Sequence, residues 1–243
     1  MSTFPVPHPE IPVEERLIFA LDVADTQKAR ELVSQLGDSV RFYKIGLELF
    51  MAEGFFDFLD ELLAQDRKVF VDLKFFDIPA TVAAAVRQLS ARGAHFCTIH
   101  GNQSIMEAAA AERGGKLQVL AVTALTSLDR GDLEDLGFQC DVEELVLSRA
   151  RRALEAGCDG VVASGMEAAR LRETVGDRLL VVTPGVRPVS NQESDDQQRV
   201  VTVADAFRNG ADHIVVGRPI RNAEDPRAAA DAIQASIREC FES

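Results

Sequence analysis

The sequence predicts an α/β fold closed as a (β/α)8 TIM barrel, on three observations. Eight short β-rich runs recur along the chain, a helical segment separates each from the next, and 243 residues suit one such barrel. The runs fall at 17–23, 41–47, 68–75, 95–100, 117–125, 160–164, 179–186 and 213–216. Strand then helix, with no two strands adjacent in sequence, is the order of parallel βα units. A doubly wound open sheet is the alternative with the same local pattern. After the first run Asp25 is placed to cap a helix that Gly37 ends. Pro79 after the third suits a first helical position, and Gly157, Gly176 and Gly210 follow later helical runs. No low-complexity linker interrupts the series, so an arm (1–16) followed by a single barrel domain (17–243) is expected. The connections 126–141 and 187–201 are longer and more polar than the others. Both leave strands at their C-terminal ends, the face on which barrels build active sites, so they read as lids or as plain surface loops.

Composition narrows the function. With 39 acidic and 26 basic residues the net charge is −13, which repels a nucleic acid backbone or an anionic membrane. Cys97, Cys140, Cys158 and Cys240 form no CxxC pair and no metal-ligand spacing, so they read as reduced structural thiols. The first 16 residues carry Pro5, Pro7, Pro9 and Pro12 and no apolar stretch, which points to an extended arm, not a signal peptide or anchor, and to a cytoplasmic protein.

Strand periodicity then locates charge. In the third run, alternation sets Val69, Val71, Leu73 and Phe75 on one face and Lys68, Phe70, Asp72 and Lys74 on the other. The apolar set should face the helices, leaving Asp72 and Lys74 at the mouth of the barrel and Asp77 just beyond. By the same parity Ile18, Ala20 and Asp22 point inward from the first strand, and Phe42, Lys44 and Gly46 from the second. Buried charges are costly unless paired or used. The arrangement therefore reads either as a rim salt bridge or as a catalytic set in which neighbouring carboxylates keep Lys74 protonated, suiting it to donate a proton. Gly217-Arg218-Pro219 after the eighth strand and Thr183 to Pro188 at the end of the seventh stand where barrels bind phosphate, although either arginine alone reads as a surface residue.

The block Asp72-Leu73-Lys74-Phe75-Phe76-Asp77-Ile78-Pro79 resembles that of the orotidine 5'-monophosphate decarboxylases. Ala20-Leu21-Asp22, Lys44-Ile45-Gly46, the stretch from Val122 to Ser127, the stretch from Thr183 to Pro188 and Val216-Gly217-Arg218-Pro219 are similar to the family's other blocks, in order, over about residues 17–230. The resemblance implies that orotidine 5'-monophosphate is decarboxylated to uridine 5'-monophosphate without metal or other cofactor. Lys74 would protonate C6 of the pyrimidine, Asp72 would lie by the departing carboxylate, and Lys44 and Asp77 would help fix the Lys74 ammonium. Asp22 would bind the ribose hydroxyls, and Thr126 and Ser127 would meet the base. Pro184, Arg187, Gln197, Gly217 and Arg218 would complete the substrate site around base and phosphate, with Gln197 preferred over its neighbour Gln198 because it follows Asp196. Asp77, Ile78 and Thr81 would reach into a second subunit, implying a homodimer with shared sites.

Three other readings are weighed. Related barrels that decarboxylate or condense sugar phosphates share the aspartate-lysine-aspartate motif but use magnesium, with an acidic residue at the end of the second strand. Here Lys44 occupies that place and would repel the cation. An epimerase would need metal-binding histidines, and His95 and His100 lack partners for that role. A noncatalytic phosphate-binding barrel is the remaining alternative, although every charged position that the mechanism needs is present.

Overall fold

The computed structural model describes residues 8–187 and 201–241. Its eight strands are β1 (Leu17–Ala20), β2 (Phe42–Gly46), β3 (Lys68–Phe75), β4 (Phe96–Ile99), β5 (Gln118–Val122), β6 (Gly160–Val162), β7 (Leu180–Pro184) and β8 (His213–Val216). They close in sequence order, all parallel, with β8 returning to β1 through Leu17↔Ile214. This is the predicted barrel and excludes the open sheet. The ring of helices begins with α1 (Thr26–Leu36), the short α2 (Leu47–Phe50), α3 (Phe55–Ala64), α4 (Pro79–Arg92) and α5 (Gln103–Ala111). It continues with α6 (Arg130–Asp135), α7 (Val142–Glu155), α8 (Ala168–Val175), α9 (Val203–Arg208), α10 (Arg218–Arg221) and α11 (Pro226–Phe241). Asp25 caps α1 by accepting the Lys28 N–H at 2.8 Å, Gly37 ends that helix, and Pro79 opens α4. α6 lies inside the connection expected to be a loop. The reciprocal bonds of Asp129 and Asp132 start it, and Leu133 buries beneath it.

Strand alternation divides the apolar side chains into two cores. Val69, Val71, Tyr43, Ile45 and Leu17 pack outward against the helices, while Ile18, Phe42, Phe70, Phe96, Leu120, Val182 and Val215 fill the barrel. At roughly 1.5–3 kcal/mol for each large apolar side chain removed from water, both layers contribute heavily to stability. Residues 8–16 run along the N-terminal mouth and are not extended: they form a turn and a 3-10 turn at Val13–Glu15, with Ile11 against the interior cluster. Arg16 anchors this segment. Its guanidinium is buried, donates to the carbonyls of His8 (2.7 Å) and Asp212 (3.2 Å), and lies 4.1 Å from the Phe241 ring centre.

Candidate active site

The opposite, C-terminal mouth opens into a cavity of 520 Å³. Its charged floor comes from three neighbouring strands. Lys44 leans from β2 between Asp22, 3.1 Å away just past β1, and Asp72 on β3, 3.4 Å away. The Lys74 Nζ donates to Asp72 Oδ1 at 2.9 Å. Asp22, Lys44, Asp72 and Lys74 thus form a row of alternating sign, each interior charge held by its neighbours. Gly46 leaves room for it, because a Cβ there would stand 3.3 Å from Lys44 Nζ and 3.4 Å from Asp22 Oδ1.

The period-2 reading of β3 holds as far as Val71 and then meets an irregularity. Val71 pairs with Cys97 and Phe75 with Ile99, so three residues of β3 stand opposite Thr98 alone. Lys74 absorbs the excess with φ +49°, a left-handed conformation costing a lysine on the order of 1–3 kcal/mol. Its N–H, displaced from the ladder, donates to Thr98 Oγ1 at 2.9 Å, and that hydroxyl donates to Asp72 Oδ1 at 2.8 Å.

Burial works against the charged forms of Lys44 and Asp72, but their neighbours prevail. Asp72 and Asp22 hold the Lys44 ammonium above its ordinary value, and Lys44 and Lys74, with hydrogen bonds from Lys74 and Thr98, hold the Asp72 carboxyl below its own. Since the folded carboxyl is depressed, the stability it contributes is present above its unfolded value and lost as pH falls through the folded one. Since the folded ammonium is raised, its contribution is complete below the unfolded value and lost as pH rises through the folded one. The Lys44–Asp72 pair should therefore stay charged, and its stabilisation flat, from about pH 5 to about pH 9. Melting temperatures of the wild type and Asp72→Asn across that range would show an unchanging gap. A step confined to the wild type would contradict the assignment.

Arg187, Gly217, Pro184, Thr126, Ser127 and Arg218 line the rest of the cavity. Burial first, and then the nearby charges of Arg187 and Arg221, lower the Arg218 guanidinium below the usual arginine range. Such convergence of cations is relieved by an anion, so this side of the cavity can take a phosphate dianion. Arg221 is a residue the sequence reading missed. It lines the cavity one helical turn after Arg218, the spacing that could have found it, and its Nη1 donates to the Asp22 carbonyl. Thr98 was also missed, although the parity that turns Phe96 inward assigns it to the same face.

Not every expected residue enters this cavity. Asp77 and Thr81 are exposed, Ile78 is 66% exposed, and none of the three lines it. The Asp77 carboxylate accepts its neighbour's N–H, that of Ile78, at 2.6 Å. Beside Ile78, Phe76 is 68% exposed, and on the preceding βα unit Leu47 and Met51 are likewise exposed. Gln197 and the segment 188–200 of the proposed lid lie outside the described residues. His100 sits at the rim, edge-on to Phe76 and 3.3 Å from Arg149, with burial and then the Arg149 and Lys74 charges lowering its pKa. Those surroundings disfavour a cation beside it. No cluster of three or more metal-ligand side chains occurs among the described residues, and no helix among them is long and apolar enough to cross a membrane.

A family model described as orotidine 5'-phosphate decarboxylase / HUMPS matches residues 15–233. The orotidine 5'-phosphate decarboxylase of Methylococcus capsulatus is 64% identical over 231 residues, 95% of this chain and 95% of that protein. That of Stenotrophomonas maltophilia is 52% identical over 238 residues, covering 98% and 97%. Among solved structures, the orotidine 5'-phosphate decarboxylase from Lactobacillus acidophilus superposes with a TM-score of 0.81 at 36% identity, over 92% of this chain and 99% of that one.

Proposed function

The chain belongs to the orotidine 5'-phosphate decarboxylase / HUMPS family, and from that premise we propose how its cavity carries out the decarboxylation of orotidylate to uridylate in pyrimidine biosynthesis. The observation that carries the reading is the charged row ending in Lys74, opposite an arginine cluster, in one cavity. The arginines hold the phosphate, Asp22 meets the ribose hydroxyls, and Thr126 and Ser127 meet the base. As the bond from C6 to the carboxylate breaks, carbon dioxide leaves and the electron pair stays on C6. Lys74 stabilises that charge and transfers one ammonium proton to it. Asp72 lies beside the departing carboxylate and, itself held by Lys44, keeps the Lys74 ammonium aimed.

This chemistry needs preorganised charge and no metal. The two carboxylates that a magnesium ion would take, Asp22 and Asp72, already have the Lys44 ammonium between them, which disfavours the magnesium-dependent sugar-phosphate reading. The active unit is a homodimer in which Asp77, Ile78 and Thr81 complete the partner's site. Their exposure, next to the exposed apolar side chains of Phe76, Leu47 and Met51, supports this. The acidic barrel works in the cytoplasm on a small substrate and engages neither nucleic acid nor membrane.

The test is loss of orotidylate ultraviolet absorbance after the protein has been treated with EDTA. Full activity supports the reading, and a well-folded protein inert toward orotidylate would overturn it. In the same assay orotidine, lacking the phosphate, should lose kcat as well as affinity, because remote phosphate binding organises the reacting end. Equal kcat for the two substrates would remove the phosphate from the mechanism.

A further inference from the structure

We propose that Thr98 is a positioning residue for the decarboxylation, fixing both the carboxylate of Asp72 and the backbone of Lys74 so that the Lys74 ammonium is presented to the substrate. The inference rests on the decarboxylase reading above and adds a residue to it.

Hydrogen-bond chemistry sets the direction of both contacts. A backbone N–H can only donate, so Thr98 Oγ1 accepts from Lys74 at 2.9 Å; an ionised carboxylate can only accept, so the single hydroxyl proton is committed to Asp72 at 2.8 Å. Thr98 is fully buried and stands alone on β4 opposite the three-residue irregularity of β3. The hydroxyl therefore replaces the missing strand partner of Lys74 at the point where its backbone turns left-handed. Asp72 Oδ1 also receives the Lys74 ammonium, so backbone, carboxylate and ammonium of this one segment all register on the threonine oxygen. Valine would keep the shape and remove both bonds. It would leave a buried N–H without a partner and free the segment to relax from its left-handed turn, and displacements of about 1 Å at reacting groups can cost on the order of a hundredfold in rate.

The experiment compares wild type, Thr98→Val and Thr98→Ser for kcat and KM on orotidylate, for uridylate affinity, and for melting temperature. Thr98→Val should lose roughly 10- to 100-fold in kcat while KM and uridylate affinity stay within about threefold, and Thr98→Ser, which keeps the hydroxyl, should return kcat to within about threefold of wild type. Should Thr98→Val fail to fold, Thr98→Ala carries the same comparison. A merely structural threonine would lower the melting temperature and leave the kcat of folded protein unchanged, which overturns the inference, as does an equal loss of kcat and uridylate affinity. An inactive wild type would instead sink the decarboxylase reading, and this inference with it.

Discussion

Lys74→Ala is expected to lower the kcat for orotidylate by about 10⁴-fold or more, because one substitution removes both the proton donor and the charge that stabilises the carbanion. The rest of the site should survive. Asp72 retains the Thr98 hydroxyl and faces Lys44 at 3.4 Å, and the arginines come from the segments after β7 and β8 rather than from β3. Uridylate should accordingly bind Lys74→Ala much as it binds wild type, which separates lost chemistry from lost structure. Alanine keeps the Cβ that makes the left-handed turn costly, so the substitution neither adds nor relieves backbone strain and the variant should fold. Stopped-flow or steady-state absorbance settles the rate. Turnover within about tenfold of wild type would remove Lys74 from the proton-transfer step.

The second large effect concerns the partner subunit. Asp77→Ala and Lys74→Ala should each be nearly inactive alone, yet a mixed assembly should regain activity. If Asp77 serves the neighbour's Lys74, a mixed dimer carries both lesions in one site and neither in the other. Random exchange of equal amounts then restores roughly a quarter of wild-type activity. Co-expression with separable tags isolates the mixed dimer, whose one intact site of two should give about half of wild-type activity in the absorbance assay. A mixed dimer that forms but stays inactive would place Asp77 outside any shared site. The motive for the test is structural: within one chain Asp77 is exposed, accepts the N–H of Ile78, and does not line the cavity that its neighbours on β3 enter.

Much of the molecule was legible in its residues. Eight β-rich runs became eight strands because alternation and helix punctuation act over a few residues, and the same parity pointed to Asp22, Lys44, Asp72 and Lys74 as the charges that line one mouth. What was not legible depended on pairings distant in sequence. The irregular register between β3 and β4, which forces Lys74 left-handed and recruits Thr98, arises from 24 residues away and has no local signature. Arg221 reaches Asp22 across 199 positions, and residues 8–16 fold because Arg16 finds the Asp212 carbonyl 196 positions on.

By itself, then, the sequence determined the strand and helix order, the inward charges and the excess of acid, all consequences of side-chain type and short-range spacing. The tertiary structure decided which charges touch, how the third strand bends to present its lysine, and that three arginines converge on one wall of the cavity. Those features depend on barrel closure, which brings β8 beside β1 and fixes distances that no local pattern encodes.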